Sequence, residues 1–353
     1  MRSGTVLVLG SGATLGGGFK VHLNTTDFLP PLDQNFFASS AVQSVFNSEK
    51  FPALSYYQKD ASLEASWGMV DLYLKLCLAG VISQENVDDD ALQGLARRAN
   101  TNDSYRIKME LEDRRSRVPS MAGWELLALI TEVLGNLFHP NPQQSPLKSL
   151  VEKLLDDDLN GVITFNYDTS LEQLFGDKFY YPLLDRESSK HKLPLFKLHG
   201  SLNWQTYKRG TEHSLDIVNP QYRIADMEHG YDWYRQPEVI GPTFFKQEVT
   251  FDIQKDFRAK FYRPLWANAW DLLTRTKNLV FVGFSFPQTD FHASVLFNTA
   301  NLHGTGGFNK LDFCYKGYDP EEEDTKARVK DIFGDVEPEW YPDGLVEMVK
   351  TYC

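Results

Sequence analysis

Five residues near the start, Thr5-Val6-Leu7-Val8-Leu9, constrain the fold more than any other stretch. The run is apolar without alternation and rich in β-branched side chains. Such a run forms a strand buried on both faces, which belongs in a parallel sheet covered by helices on either side. Glycines follow at positions 10, 12, 16, 17 and 18. Glycine admits tight turns and close approach of a ligand to the backbone, and the amides that open a following helix can bind an anion. Alone, the spacing fits a flexible strand-to-helix turn equally well. An ordinary dinucleotide-binding unit carries an acidic residue about 20 positions further on. The nearby counterpart here is Asp27, which reads as a loop residue.

Three later apolar runs repeat the pattern, each ending in polar residues. Gly161-Val162-Ile163-Thr164-Phe165 leads into Asn166, Tyr167 and Asp168. Pro194 to Leu198 leads into His199 and Gly200, and Leu279-Val280-Phe281-Val282 leads into Gly283, Phe284 and Ser285. The carboxyl ends of strands are where an open α/β sheet places its chemistry. Taken singly, Asp168 reads as a helix cap or turn former and His199 as a hydrogen-bonded structural residue. As members of four converging strand ends, both read as site residues. Thr169 and Glu172 match a capping box.

Between the first two strands, Leu29-Pro30-Pro31-Leu32 is a rigid break, and residues 38–150 show no clear strand run. Leu63, Trp67, Val70, Leu74 and Leu78 fall at helical spacing. So do Trp124, Leu127, Ile130, Leu134 and Leu137, after a Pro119-Ser120 start signal. Residues 88–103 read as an exposed connection. Residues 106–117 mix basic side chains with Glu110, Glu112 and Asp113, the pattern of a solvated helix face.

Beyond the histidine, Ser201 to Tyr207 reads as a short strand, 208–236 as a loop over one face of the site, and Val239 to Thr243 as a strand end and turn. Tyr262-Arg263-Pro264 reads as a helix start with proline in its first turn. Asp312 to Tyr315 reads as the last strand, with a helix from Glu321 to Ile332 after it. Alternating strands and helices predict a three-layer α/β sandwich with a mainly parallel sheet and a helical insertion after the first strand. The expected division is 1–37 with 156–353 for the sheet domain and 38–155 for the insertion.

Charge and cysteine content narrow the function. The net charge of −12, from 36 basic and 48 acidic residues, argues against direct nucleic-acid binding. Cys77, Cys314 and Cys353 are the three cysteines, and none stand at C-x-x-C spacing. This excludes a zinc ribbon, argues against a disulfide framework and fits the reducing cytoplasm. The start has no signal-peptide pattern, and no apolar segment approaches bilayer-spanning length. His292 follows Asp290 by two positions, the wrong spacing for a helical metal-ligand pair, so it reads as a structural or subunit-contact residue.

In order, G-S-G-A-T at 10–14, T-F-N-Y-D at 164–168, L-H-G at 198–200 and G-F-S at 283–285 resemble the sirtuin motifs G-A-G-[IA]-S, T-Q-N-[IY]-D, H-G and G-[TY]-S. F-N-Y-D-T-S-L-E, K-L-H-G-S-L-N-W and V-G-F-S-F-P-Q-T-D are similar to the bacterial sirtuin-like domains of anti-phage defence systems, which hydrolyse NAD. The resemblance spans nearly the whole chain and implies a Rossmann-like fold. It implies that Gly10, Ser11, Gly12, Ala13 and Thr14 hold the NAD pyrophosphate. Asn166 would orient the nicotinamide ribose and a water, Asp168 would bind the carboxamide, and His199 would be the general base. Gly283 and Ser285 would contact the adenosine half.

The departures sharpen the expectation. Deacylase sirtuins usually carry a four-cysteine zinc ribbon between the histidine and the late serine motif, and this chain has no cysteine between 199 and 283. Phe165 stands for the glutamine, and Ser11 and Thr14 for the usual alanine and serine. NAD is expected as substrate, with no metal. The expected activity is an NAD glycohydrolase releasing nicotinamide and ADP-ribose, acting in anti-phage defence by NAD depletion. The alternatives are a catalytically silent NAD or ADP-ribose sensor and a zinc-free deacylase. A free NAD hydrolase would harm its host, so a homo-oligomer, a partner ATPase or a signal-sensing protein is expected to restrain it. Phe36-Phe37, 51–57 and 231–234 are candidate contact surfaces, or else core.

Overall fold

The computed structural model describes residues 4–48, 50–55, 62–78, 117–183, 192–209, 212–217, 236–240, 258–288, 290–304, 306–315 and 321–352. The expectations for 88–103, 106–116, 56–57, 231–234 and 241–243 lie outside the described residues. In chain order, β1 (Thr5–Leu9), α1 (Ser11–Gly16), β2 (Lys20–Leu23), β3 (Thr26–Phe28), α2 (Ser40–Gln43), α3 (Pro52–Ser55) and α4 (Leu63–Leu78) come first. Then follow α5 (Arg117–Leu134), β4 (Leu137–Phe138), α6 (Pro146–Asp156), β5 (Leu159–Thr164), α7 (Ser170–Phe175), β6 (Phe179–Tyr180) and β7 (Leu193–Lys197). The later elements are β8 (Gly200–Arg209), β9 (Glu212–Ile217), β10 (Gln236–Val239), α8 (Ala259–Thr274), β11 (Asn278–Val282) and α9 (Phe291–His303). The chain closes with β12 (Lys310–Cys314), α10 (Glu321–Phe333), β13 (Glu339–Trp340) and α11 (Leu345–Tyr352).

Seven strands form one sheet in the order β13-β12-β11-β1-β5-β7-β6. Every pairing in it is parallel. The strand runs alternate between two cores, as a strand buried on both faces must. Leu7, Leu9, Val162, Leu195, Val280 and Val282 face a core shared with α5, α6 and α11. Val6, Val8, Ile163, Phe196, Phe281 and Phe313 face one shared with α8, α9 and α10. The result is the expected three-layer α/β sandwich. The chain leaves β1 towards β5 on one side and returns later to place β11 on the other. This reversal beside β1 is a topological switch point, and its carboxyl end is where such sheets hold ligands.

Several expectations need correction. Leu137 ends the helical stripe in the sequence but lies in β4, which joins β2 and β3 in a small antiparallel sheet. Asp27 lies on β3 rather than in a loop and is paired with His22 Nδ1 at 2.7 Å on the surface. Residues 212–217, expected as loop, form β9 against β8. Helix α8 starts at Ala259, so Pro264 sits inside it. Ala259 and Tyr262 are buried and anchor the earlier turn. The strand at Asp312 is not the last, because β13 adds outside it. Phe36, Phe37 and Phe51 are core residues, which removes them as contact surfaces.

Candidate active site

The glycine-rich turn closes on β11. Gly10 donates its amide to the Val282 carbonyl at 3.0 Å, and Gly12 donates to the Gly283 carbonyl at 3.2 Å. A Cβ on Gly10 would stand 2.3 Å from that carbonyl oxygen. Gly283 has φ +62, and a Cβ there would strike the Ala13 amide nitrogen at 2.3 Å. Two backbones thus cross at contact distance, which only glycine permits. The Ala13 amide donates to Gly10 at 2.9 Å. Three amides that the sequence offered to a phosphate are therefore used by the chain itself. Ser11, Gly12, Gly283 and Ser285 remain partly exposed at the switch point.

The second motif binds directly to the first. Asn166 Nδ2 donates to the Gly10 carbonyl at 2.9 Å and to Thr14 Oγ1 at 3.3 Å. Thr14 in turn donates its hydroxyl to Asp168 Oδ2 at 2.7 Å. Asp168 Oδ1 accepts the Ser170 amide at 2.9 Å, so it caps α7. Thr169 does not cap through its side chain, and Glu172 turns away from the helix start. The expected capping box is absent because both of its members serve other partners. Thr169 accepts from Gln173, and Glu172 accepts from Lys197.

That Lys197–Glu172 pair was not visible as a site feature, although a lysine inside an apolar strand run was its signal. Lys197 is 1% exposed. Its ammonium lies 2.9 Å from Glu172 Oε1 and donates to the Asp168 carbonyl as well. Tyr181 donates to the same Glu172 oxygen at 2.6 Å, and Asn203 donates to the Tyr181 hydroxyl at 3.2 Å. Burial first, and then the Glu172 charge, holds the Tyr181 phenol well above its ordinary range. The network joins α7, β7 and β8 beneath Asp168, and each buried polar group in it finds a partner.

His199 lies in the turn between β7 and β8 and is 3% exposed. Its carbonyl accepts the Ile240 amide at 2.8 Å, and the Leu198 carbonyl accepts Trp266 Nε1 at 3.2 Å. Phe165 meets its ring edge-on at 5.2 Å between centroids. Phe165 also stacks on Phe284 at 4.4 Å, which ties the strand ends of β5 and β11 together. Nε2 of His199 lies 3.1 Å from Asp290 Oδ2. Asp290 was read from sequence only beside His292; His292 instead packs near Trp266, with ring centroids 6.4 Å apart. Ser285 is held through its carbonyl, which accepts from Arg328 Nη2 at 3.2 Å.

The structure therefore joins Gly10, Thr14, Asn166 and Asp168 by direct hydrogen bonds. It brings Gly283 against Gly12 and sets His199 at the neighbouring strand end. Among the described residues, no group of three or more His, Cys, Asp or Glu is arranged to hold a metal ion. No described helix is long and apolar enough to cross a membrane.

A search of curated proteins returns no match. Among solved structures, a Sir2 homologue in complex with NAD is 12% identical, with 99% of this chain and 87% of that chain covered and a TM-score of 0.42. Sir2Tm bound to a propionylated peptide is 13% identical, covering 99% and 91%, with a TM-score of 0.39. At these values the likeness is loose, and the site rests on its own geometry. Residues 160–307 match the family described as the SIR2-like domain. That stretch holds Asn166, Asp168, His199, Ser285 and Asp290, and leaves the glycine-rich turn outside it. Over residues 160–307 the chain is thus similar to the SIR2-like domain.

Proposed function

We propose that this chain is an NAD glycohydrolase. The observation that carries the reading is the bonded set at the strand ends: Asn166 to Gly10, Thr14 to Asp168, and His199 alongside. It stands at the switch point of a parallel sheet. The reaction breaks the bond from ribose C1′ to the nicotinamide nitrogen. Nicotinamide leaves neutral with the bonding pair, water oxygen bonds to C1′, and the water proton is released. The products are nicotinamide and ADP-ribose. Positive charge gathers on the ribose before water arrives, so the site must hold the ribose and one proton.

Asn166 is partly exposed and fixed at its amide end, which suits it to orient the ribose and the attacking water. Asp168 would take the carboxamide. His199 would accept the proton from water or a ribose hydroxyl, since imidazole titrates near neutral pH. Gly10, Ser11, Gly12, Ala13 and Thr14 would line the pyrophosphate, with Ser11 the accessible side chain. Gly283 and Ser285 would face the adenosine half. The biological setting that suits the reading is anti-phage defence by NAD depletion.

The test incubates the pure chain, alone and with its gene neighbours' products, with NAD and measures nicotinamide and ADP-ribose. Activity lost in Asn166→Ala, with NAD binding retained, supports the reading. No turnover under any condition rejects it. The burial of His199 favours one second reading, a subunit that binds NAD or ADP-ribose without cleaving it. Tight NAD binding by calorimetry with no product would favour that one.

A further inference from the structure

His199 has a buried carboxylate at its side. Asp290 is 1% exposed, and its Oδ2 lies 3.1 Å from His199 Nε2. The two residues come from opposite flanks of the sheet. His199 follows β7, and Asp290 is the N-cap residue of α9 after β11. Both ends of the contact are held by backbone. The Asp290 amide donates to the Pro287 carbonyl at 2.9 Å, and its carbonyl accepts the Ala293 amide at 3.0 Å. The His199 carbonyl is fixed by Ile240, and its ring by Phe165 and Tyr167, whose centroids lie 5.2 and 6.2 Å away. The preceding turn, Gly283-Phe284-Ser285-Phe286, is set firmly. Phe286 is buried at φ 50, held by Phe281, Phe297 and Phe333 at 5.4 to 5.8 Å.

A carboxylate oxygen held at ion-pair distance from one imidazole nitrogen, here without making a hydrogen bond, does two things. It selects the tautomer that carries the proton on that nitrogen, and it stabilises the imidazolium formed when the other nitrogen accepts a proton. Both effects are larger where water is excluded. A histidine that takes a proton in a reaction needs both, whereas a helix cap needs neither.

We propose that Asp290 is the positioning residue for His199, holding the proton on Nε2 and stabilising the charged ring as it accepts a proton during NAD cleavage. The proposal rests on the reading of His199 as the base. It assigns Asp290 a part in the reaction through His199 and no contact with substrate.

The experiment uses the full chain in three forms: wild type, Asp290→Asn and Asp290→Glu. Steady-state NAD turnover, with any activating partner, is combined with ¹⁵N spectra of histidine-labelled protein, His199→Gln assigning the ring signals. In Asp290→Asn, kcat is expected to fall by about 10² to 10⁴, the range seen when a base loses its orienting carboxylate, while KM stays unchanged. Asp290→Glu should restore part of kcat. The wild-type ring should show Nε2 protonated, and Asp290→Asn should lose that preference. Wild-type kcat in Asp290→Asn, or a wild-type ring unprotonated at Nε2, overturns the proposal. If wild type turns over no NAD under any condition, the hydrolase reading falls, and the tautomer alone decides whether Asp290 sets the ring. If Asp290→Asn does not fold, the wild-type spectrum still decides the pairing.

Discussion

At the residue scale, the buried charges make sharper claims than the surface ones. Lys197 and Glu172 are each within 5% of full burial and lie 2.9 Å apart. Removing one partner strands the other charge in a dry site, which costs about 3–5 kcal/mol. Lys197→Met should therefore lower unfolding free energy by about that amount in urea. Lys197→Met with Glu172→Gln should recover a large part of it. A double variant as unstable as the single one would show that the ammonium's bond to the Asp168 carbonyl matters more than the pair. Thr14→Val poses a milder case, since Asp168 Oδ2 loses its hydroxyl donor. The cost of such a loss at a buried acceptor is about 1–3 kcal/mol, and thermal melting would detect it. The candidate site residues were legible because each follows an apolar run that ends abruptly in a polar side chain. Asp290 was not legible. Its partner lies on a different strand end, and no local spacing links the two.

At the element scale, the strand runs of the large sheet were read with their ends correct to within a few residues. A strand buried on both faces has no polar alternation to confuse with a helix stripe. The misses are short or borrowed elements. Leu137-Phe138 and Glu339-Trp340 have two residues each and exist only because a neighbouring strand supplies hydrogen bonds. The C-terminal helix α11 supplies a prediction of this scale. Its Tyr352 hydroxyl bonds to Asp312, which is buried at the end of the sheet. Burial first, and then the bond to Asp312, lifts the Tyr352 phenol above its usual range. Tyr341 is lifted too, by burial and then by the Asp312 charge. Burial, followed by Glu347, pushes the Cys314 thiol up to about 12 from 9.0. All three groups hold their protons more tightly when folded. Their contribution is complete below the unfolded pKa and fades as pH rises through the folded one. Melting temperature should therefore drop between pH 9 and pH 12, the interval set by Cys314. Tyr352→Phe should shift less across it than wild type does. A melting temperature flat over that interval would contradict the assignment. Iodoacetamide at pH 8 should also leave Cys314 unmodified until the protein unfolds, because a protonated buried thiol is a poor nucleophile.

At the scale of the whole molecule, what stands out is how well the chemistry is shut away. Thr14, Asp168, His199 and Asp290 are all buried, while Asn166, Ser11 and Ser285 reach the surface. On the proposed reading, Asn166, Ser11 and Ser285 give NAD an accessible edge, while His199, the proposed proton acceptor, is closed off. Phe165, which packs against His199 and stacks on Phe284, is part of what covers it. If His199 is the base, burial of this kind slows the resting chain, and a contact that opens the site would speed it. On that reading, control by a homo-oligomer, a partner ATPase or a sensor remains a proposal. The contact would act by shifting the equilibrium of the Phe165–Phe284 stack, and it can shift it only by its differential affinity for the open state. Phe165→Gln removes the stack. It should raise basal NAD turnover of the isolated chain and narrow the gap between basal and partner-stimulated rates. Turnover measured across micromolar dilutions, with light scattering on the same samples, separates self-association from partner control. A wild-type monomer that already hydrolyses NAD at the stimulated rate would show that the buried histidine imposes no restraint.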